Sequence, residues 1–174
     1  MNGSANDHHR ADSANPVRCT VVTVSDTRTP ADDRSGALML ELLREHGYET
    51  VGYRIVRDEQ DAIREALGEF SARDDVDAIL FNGGTGIAPR DVTIEALRPL
   101  FDKELPGFGE LFRFLSFTED VGSAAMLSRA IAGVRKGKAV FAMPGSPRAV
   151  RLAMTRLVLP ELRHVVAEIR KGNP

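Results

Sequence analysis

Short apolar runs alternate with helix-patterned segments along this chain, and this alternation is the feature that most limits its fold. Runs of strand length, apolar or β-branched and bounded by turn residues, lie at residues 19–25, 50–56, 76–81 and 139–143. Segments with apolar residues at helical spacing lie at residues 35–46, 59–72, 108–116 and 148–159. The pattern predicts a doubly wound α/β domain with a mostly parallel sheet.

Local signals refine the helices and one edge of the sheet. Gly47 is expected to stop the first helix, and Pro160 predicts a bend or a restart in the last one. The run Arg-Lys-Gly-Lys at residues 135–138 reads as a hairpin turn, which would make one edge of the sheet antiparallel. The segment at 108–116 is expected to bury four apolar side chains: Phe108, Leu111, Phe112 and Leu115.

Size, composition and charge exclude several classes of protein. The 174 residues suit one domain, predicted at residues 17–170, and 43% of them are apolar. No apolar segment approaches the roughly 20 residues of a membrane span, so no membrane partner is expected. The 23 Lys and Arg against 25 Asp and Glu give a net charge of −2, which argues against a dedicated nucleic-acid binder.

The polar start of the chain and its one cysteine are expected to have no catalytic role. Residues 1–16 lack the apolar core of a secretory signal and predict a disordered tail on a cytoplasmic protein. His8 and His9 in that tail are too few to close a metal site. Cys19, the only cysteine, excludes an intramolecular disulfide and lies in an apolar run, where a thiol is usually a core side chain.

A glycine-rich loop, Asn-Gly-Gly-Thr-Gly-Ile-Ala-Pro-Arg-Asp-Val-Thr at residues 82–93, joins the third strand to the next helical segment. Gly83, Gly84 and Gly86 have no Cβ, so their backbone N–H groups can point together at an anion. Two further stretches, Pro-Gly-Phe-Gly-Glu at 106–110 and Pro-Gly-Ser-Pro at 144–147, add an acid and a hydroxyl. The order of these stretches predicts a phosphate-handling site at the carboxyl edge of the sheet.

These motifs resemble the MoaB/MogA family of molybdenum cofactor biosynthesis proteins, the molybdopterin adenylyltransferases. The resemblance covers residues 17–166 and rests on seven colinear segments. The phrases Phe-Gly-Glu-Leu-Phe-Arg at 108–113 and Leu-Ser-Arg-Ala-Ile-Ala-Gly at 127–133 are more similar to the MoaB branch. The segments lie at residues 23–28, 58–60, 83–86, 90–93, 106–110, 125–130 and 144–147. The resemblance implies a three-layer α/β/α sandwich with a mostly parallel sheet and an antiparallel edge.

The resemblance implies adenylyl transfer, in which the terminal phosphate of molybdopterin attacks the α-phosphorus of Mg-ATP and releases pyrophosphate. Asp58 and Asp91 match the family's acids for catalysis and Mg²⁺ binding. The attacking group is already a phosphate oxygen, so the reaction needs alignment and charge neutralisation more than a nucleophilic side chain. The remaining residues implied in substrate or nucleotide binding are Ser25, Asp26, Gly83, Gly84, Thr85, Gly86, Arg90, Glu110, Pro144, Gly145 and Ser146.

Each polar candidate also has a purely structural interpretation. Asp58 and Ser146 stand where an N-cap is expected, and Ser25 and Asp26 stand where a turn is expected. Glu110 lies one helical turn from Arg113, which fits an exposed ion pair, and Arg90 fits a solvated charge. Asp91 is harder to explain as a cap, because Thr93 nearer the helix start is a plausible cap itself.

Two alternatives to the enzyme remain open at this stage. A non-catalytic carrier of molybdopterin or its adenylate has one supporting feature: Asn82 stands where many relatives have Thr. A dehydrogenase or a Walker-type enzyme is disfavoured, because neither a first-strand G-x-G-x-x-G nor a closing Gly-Lys-Ser/Thr is present. The resemblance also implies a homo-oligomer, trimer or hexamer, and it leaves open whether the product passes to a molybdenum insertase. The side chains expected between subunits or in the core are Phe112, Phe114, Leu115 and Phe117.

Overall fold

A computed structural model describes residues 16–171 of the chain. Residues 1–15 and 172–174 lie outside the described residues. The first range contains almost all of the expected tail, including His8 and His9. The chain forms a six-stranded mixed sheet with the strand order β2-β1-β3-β6-β5-β4. The strands are β1 (Arg18–Val24), β2 (Glu49–Val56), β3 (Ala78–Asn82), β4 (Lys103–Glu104), β5 (Ile131–Arg135) and β6 (Lys138–Met143).

Helices cover both faces of this sheet and complete three α/β/α layers. Short 3-10 segments, Arg98–Leu100 and Gly122–Leu127, and a wide π turn, Met154–Val158, interrupt the regular helices. One face carries α1, α4, α5 and α6, and the opposite face carries α2 and α3. The helices are α1 (Arg34–Glu45), α2 (Gln60–Ser71), α3 (Thr93–Leu97), α4 (Pro106–Glu119), α5 (Pro147–Ala153) and α6 (Leu159–Arg170).

Strand alternation divides the core into two apolar layers. Along β1, Cys19 and Val21 pack with the four-helix face, whereas Val22 and Val24 pack with the other. Successive side chains of a strand point to opposite faces, so a strand buried on both faces must be apolar throughout. This explains why the central strands read as continuous apolar runs. Cys19 is fully buried in this core, as the sequence predicts.

The parallel part of the sheet comprises β2, β1, β3 and β6, and the antiparallel edge comprises β5 and β4. The predicted hairpin is confirmed: β5 and β6 pair across a turn in which Lys136 has φ 47° and Gly137 has φ 72°. Both turn residues are left-handed, which is the backbone that matches the twist of a tight two-residue hairpin.

The four predicted strands and the first two predicted helices are confirmed to within two residues at each end. Gly47 has φ 73° just beyond α1, as expected for a helix stop. The last helix restarts near Pro160: α5 passes through the π turn, and α6 carries the proline in its first turn. A proline ring crowds the carbonyl four residues earlier, and a wider turn accommodates it.

One burial prediction was wrong. Phe108 and Phe112 are buried on α4, but Leu111 is 53% exposed and Leu115 only half-buried. Phe108 and Phe112 are four residues apart, a spacing that keeps both on the side facing the sheet. Leu111 lies outside that stripe and meets solvent. None of the helices between residues 16 and 171 combines the length and the apolar character that a membrane span requires.

Candidate functional site

The carboxyl ends of four parallel strands bring the sequence motifs to one edge of the sheet. In the strand register, Thr23 of β1 lies opposite Asn82 of β3, which in turn lies opposite Met143 of β6. The backbone N–H of Gly83 donates to the Met143 carbonyl at 3.0 Å, and the N–H of Ser25 donates to the Val56 carbonyl at 2.8 Å. The loops after β1, β2, β3 and β6 therefore meet, as expected for a parallel sheet.

The glycine loop is held in its shape by hydrogen bonds from the start of α3. Gly83 and Gly84 have φ values of 94° and 65°, a left-handed backbone that side chains disfavour. The Thr93 hydroxyl donates to the Gly83 carbonyl at 2.8 Å, and the Thr93 N–H donates to the Gly84 carbonyl at 2.9 Å. Thr93 thus folds the loop back on itself; it does not cap α3, whose N-cap position is Val92.

Gly145 packs its backbone directly on the glycine loop. A Cβ added to Gly145 would lie 2.9 Å from the Gly83 Cα, so no side chain fits between the two loops. The Ser35 hydroxyl at the start of α1 donates to the Gly145 carbonyl at 2.6 Å. The contact between Gly83 and Gly145 joins the loops after β3 and β6, and both residues line two cavities at this edge.

Asp58 and Asp91 both reach the glycine loop. A Cβ on Gly84 would lie 2.8 Å from Asp58 Oδ1, and a Cβ on Gly86 would lie 2.6 Å from Asp91 Oδ2. Asp58 is not a helix cap, since the N-cap position of α2 is Glu59 and no side chain caps that helix. Asp91 accepts a hydrogen bond from the Ala88 N–H at 2.9 Å, which closes the loop turn. The structure therefore brings together the two acids that lie far apart in sequence.

Asp26 completes a concentration of negative charge at this edge. Asp26 pairs with Arg90, and its Oδ1 accepts from the Asp58 N–H at 3.2 Å. Burial raises the pKa of Asp58, and the carboxylates of Asp26 and Asp91 raise it further. The protein thus holds Asp58 in a field that favours either a proton or a cation.

The chemistry of the two acids can be compared with what a hard divalent cation requires. Between residues 16 and 171, no group of three or more His, Cys, Asp or Glu side chains is arranged to hold a metal by itself. Mg²⁺ usually takes one or two carboxylates and fills its other positions with phosphate oxygens and water. The oxygen donors of Asp58 and Asp91 suit this hard cation, so the residues present fit the group.

The larger cavity at this edge has a volume of about 450 Å³, within the range of small-molecule sites. Arg28 and Arg34 give it two cationic side chains, and Ser35 stands at its wall. Ser25 lies in it with its oxygen accepting from the N–H groups of Thr27 and Arg28, both at 3.2 Å, so the turn interpretation of Ser25 also holds. The lining residues are Thr23, Val24, Ser25, Arg28, Asp32, Asp33, Arg34, Ser35, Asn82, Gly83, Gly145 and Pro147.

The smaller cavity, of about 250 Å³, shares Gly83 and Gly145 with the larger one and adds the rest of the glycine loop. Arg129 forms one wall and binds the loop carbonyls: it donates to Thr85 at 3.0 Å, to Gly86 at 2.7 Å and to Asp91 at 3.4 Å. Glu95 of α3 forms an ion pair with Arg129 and holds it in place. The lining residues are Gly83, Gly84, Thr85, Gly86, Asp91, Leu127, Ser128, Arg129, Pro144 and Gly145.

Ser146 and Glu110 stand apart from the other candidates. Ser146 caps α5, accepting from the Ala149 N–H at 3.2 Å with Pro147 as the first helical residue, as its structural interpretation expects. Glu110 lines a third cavity of about 130 Å³ that contains none of the glycine-loop residues. Glu110 and Arg113 both line that cavity, and the structure describes no ion pair between them.

Sequence reasoning missed several polar residues of this site, among them three arginines and a serine. Arg28, Arg34, Ser35 and Arg129 were not among the predicted binding residues, although Arg28 and Arg129 lie within segments that carry the resemblance. Their roles come from the tertiary fold: Arg34 and Ser35 begin α1, and only the packing of α1 on β1 and α5 brings them to the loop after β6. Arg28 directly follows the turn at Ser25, which is the one local signal for it.

Comparisons with known proteins find similar sequences over most of the chain. Residues 20–164 match the family model described as a probable molybdopterin binding domain. The chain is 58% identical over 167 residues to molybdenum cofactor biosynthesis protein B of Halalkalibacterium halodurans, covering 96% of this chain and 98% of that protein. It is also 58% identical over 165 residues to the protein of that name from Bacillus subtilis, covering 95% and 97%.

A solved structure extends the likeness to three dimensions. The crystal structure of a molybdenum cofactor biosynthesis protein B superposes on this chain with a TM-score of 0.90 at 53% identity. The match covers 92% of this chain and all of the other.

Proposed function

The chain belongs to the family of molybdenum cofactor biosynthesis proteins with the molybdopterin-binding domain, and from this premise we propose that it catalyses Mg-ATP-dependent adenylylation of molybdopterin. An oxygen of the terminal phosphate of molybdopterin forms a bond to the α-phosphorus of ATP. The bond from that phosphorus to the bridging oxygen of the β-phosphate breaks, and pyrophosphate leaves. The products are adenylylated molybdopterin and pyrophosphate, and no protein group needs to form a covalent bond.

The observation that carries this proposal is the approach of two carboxylates, Asp58 and Asp91, to one glycine loop. The loop offers backbone N–H groups to phosphate oxygens, and the acids offer oxygen ligands to a cation. Asp58 and Asp91 would hold Mg²⁺, whose charge would neutralise part of the phosphate charge. The raised pKa of Asp58 supports this role, because a cation relieves the repulsion among the three acids.

Arginine side chains supply the remaining positive charge. Arg28 and Arg34 face the larger cavity and are suited to bind phosphate oxygens, since a guanidinium donates two parallel hydrogen bonds. Arg90 is paired with Asp26 and therefore has to exchange that partner before it binds a phosphate. Bringing two polyanions together requires this neutralisation more than it requires a general base.

The proposal also covers the domain organisation, the oligomeric state and the partners of the protein. A single domain at residues 17–170 is supported by two apolar layers that share one sheet. A homo-oligomer, trimer or hexamer, is supported by exposed apolar side chains on α4 such as Phe114 and Phe117. The small-molecule partners are molybdopterin and ATP in the cytoplasm, and an insertase that accepts the adenylylated product is the protein partner that this reaction implies.

The test is turnover by the purified protein with molybdopterin, ATP and MgCl₂, followed by chromatography of adenylylated molybdopterin and pyrophosphate. Asp91→Asn is expected to abolish product formation and Asp58→Asn to weaken it severely. Asp61→Asn, which changes an exposed acid in the first turn of α2, is the matched control and should behave like wild type. Tight molybdopterin binding without product from the wild type would favour the non-catalytic carrier instead.

A further inference from the structure

The larger cavity contains a buried amide whose oxygen lacks a protein donor. Asn82, at the end of β3, is 1% exposed and lines this cavity beside Gly83 and Gly145. Its Nδ2 donates to Thr23 Oγ1 at 2.9 Å and to Met39 Sδ at 3.3 Å. Among the described residues, none donates a hydrogen bond to Asn82 Oδ1.

Met39 fixes which way this amide faces. A thioether sulfur is a weak acceptor and never a donor, whereas the Thr23 hydroxyl can serve as either. Turning the amide over would place its oxygen against the Met39 sulfur, and two acceptors repel each other. The amide nitrogen therefore faces Met39, and both of its hydrogens are used within the protein. The oxygen is left as the group that a ligand can reach.

An amide oxygen that faces a cavity without a protein donor accepts from solvent there, and it favours a ligand that can replace that hydrogen bond. A phosphate has only acceptor oxygens when it is ionised, so it is repelled at this position. The groups in this cavity that suit a phosphate are the side chains of Arg28 and Arg34, because the N–H of Gly83 already donates to the Met143 carbonyl. A group that carries an N–H donor and a flat, uncharged body is the complementary ligand.

We propose that Asn82 is a specificity-determining residue that accepts a hydrogen bond from the N–H edge of an amino-substituted heterocycle bound in the larger cavity. The inference rests on the proposed function, in which both substrates carry such an edge: the 6-amino group of adenine and the 2-amino group of the pterin. A heterocycle without that donor displaces solvent from the amide oxygen and gives it no hydrogen bond in return, and sites of this kind discriminate strongly against such analogues.

The experiment measures equilibrium binding to the full-length protein with Mg²⁺ present and one ligand at a time, so that turnover is not needed. The ligands are ATP, purine riboside triphosphate (the same nucleotide with hydrogen in place of the 6-amino group) and molybdopterin. The variant is Asn82→Leu, which keeps a similar volume and removes the acceptor. The matched control is Thr20→Val, which changes a buried polar side chain of β1 outside the cavity.

Two results support the inference and identify the heterocycle. If Asn82 contacts adenine, wild type binds ATP about 10- to 100-fold more tightly than purine riboside triphosphate, and Asn82→Leu loses that preference. If Asn82 contacts the pterin, the Kd of molybdopterin rises about 10- to 100-fold in Asn82→Leu while the nucleotide preference stays as in wild type. Thr20→Val binds every ligand like wild type in both cases.

The inference is overturned if Asn82→Leu changes every dissociation constant by less than about threefold. A change that small is less than the loss of one hydrogen bond would produce. Wild-type protein that binds neither ATP nor molybdopterin would overturn the proposed function and this inference together. Asn82→Val, which also removes the acceptor and has a shorter side chain, replaces Asn82→Leu if the latter does not fold. The same direction and the same limit apply to it.

Discussion

Asp58 combines a local disadvantage for folding with its proposed role in catalysis. Burial and the neighbouring acids Asp26 and Asp91 raise its pKa, so its protonated form is favoured in the folded protein. For a carboxyl with a raised pKa, the favourable contribution to stability is complete below the unfolded pKa and is lost as the pH rises through the folded pKa. At neutral pH without a cation, the charged Asp58 therefore destabilises the fold.

Asp58→Asn is thus expected to raise the melting temperature at pH 7 in the absence of Mg²⁺, while it weakens adenylyl transfer. The gain should shrink as the pH falls toward 4, because wild-type Asp58 then becomes protonated and loses its unfavourable charge. Added Mg²⁺ with ATP should stabilise wild type more than the variant. Calorimetric scans at several pH values measure all three effects; a lower melting temperature for the variant at pH 7 would contradict this account.

The site residues that the sequence predicts lie in continuous motifs, whereas those it does not predict reach the site only through the fold. Asp91 and the loop glycines occur in one continuous stretch after a strand, and that stretch predicts their position. Asp58 looked equally suited to a cap, and only the fold shows its side chain against Gly84. Arg34 reads as an ordinary charge at a helix start, because nothing in the sequence tells where the start of α1 lies relative to β6.

Among the elements, the 3-10 segment that precedes β5 has a supporting task at the site. Arg129 follows this segment and donates to the carbonyls of Thr85, Gly86 and Asp91. A guanidinium with several donors in fixed geometry can hold a loop that has no regular structure of its own. Arg129 is therefore expected to position Asp91 without contacting the reacting atoms.

Arg129→Met should lower kcat by about 10- to 100-fold with a smaller effect on KM, since misplacement of a catalytic group mainly affects the chemical step. Amide hydrogen exchange should accelerate at residues 84–91 and stay unchanged in the central strands. Arg73→Met, which removes an arginine that donates to the Val51 carbonyl elsewhere in the fold, is the control. Equal kcat for both variants would exclude the positioning role.

Asp77 connects three elements at the opposite end of the sheet. It precedes β3, accepts from the backbone and side chain of Arg18 in β1, and pairs with Arg170 of α6 at 2.7 Å. Burial by itself would raise the pKa of Asp77, but the hydrogen bonds from Arg18 and Arg170 lower it. Ionised Asp77 therefore stabilises the folded protein at pH values above the pKa that it has in the unfolded chain. This stabilisation is lost as the pH falls through the lower pKa of Asp77 in the folded protein.

Asp77→Asn should therefore destabilise the protein by about 2–3 kcal/mol at pH 7, the range for hydrogen bonds to charged groups. The difference from wild type should begin to narrow as the pH falls below the ordinary Asp pKa of about 3.9, and it is lost only when the pH falls through the lower pKa of folded Asp77. Urea unfolding at pH 7 and at pH 3.5 tests both statements. Turnover of the folded variant should remain near wild type, because Asp77 lies at the edge of the sheet that is remote from the site.

The periodicity of apolar residues predicted the positions of helices and strands better than it predicted which side chains are buried. Four strands and the first two helices match because their apolar residues are buried against neighbours within the same chain. On α4 the same reasoning failed for Leu111, since this helix carries more apolar side chains than its own sheet covers. The π turn before Pro160 is a geometric response to one proline, and periodicity carries no information about it.

At the scale of the whole molecule, one surface remains apolar. Leu111, Phe114 and Phe117 of α4 are exposed by 53%, 63% and 59%, and Met126 of the 3-10 segment packed beside α4 is exposed by 75%. Isolated apolar side chains are common on surfaces, but several on neighbouring elements mark an interaction site. Phe112 by contrast closes the protein's own core, which settles one of the alternatives that the sequence left open for these aromatic residues.

Phe114→Glu combined with Phe117→Glu is expected to dissociate the proposed homo-oligomer, because charge in an apolar interface is costly to bury. Light scattering after size exclusion should show a mass near the 19.0 kDa of one chain for the variant and a multiple of it for wild type. Gln60→Glu, which adds a charge on α2, should keep the wild-type mass. A monomeric wild type would contradict the oligomer.

The buried thiol of Cys19 gives this molecule an intrinsic reporter of global unfolding. Burial raises the pKa of Cys19 to about 12 and keeps it inside a strand that has neighbours on both sides. Alkylating reagents need an exposed thiolate, so they can modify the folded chain only through rare openings of the central sheet. The sequence contains no tryptophan that could report unfolding by fluorescence. The alkylation rate of this single thiol therefore measures how often the whole domain unfolds.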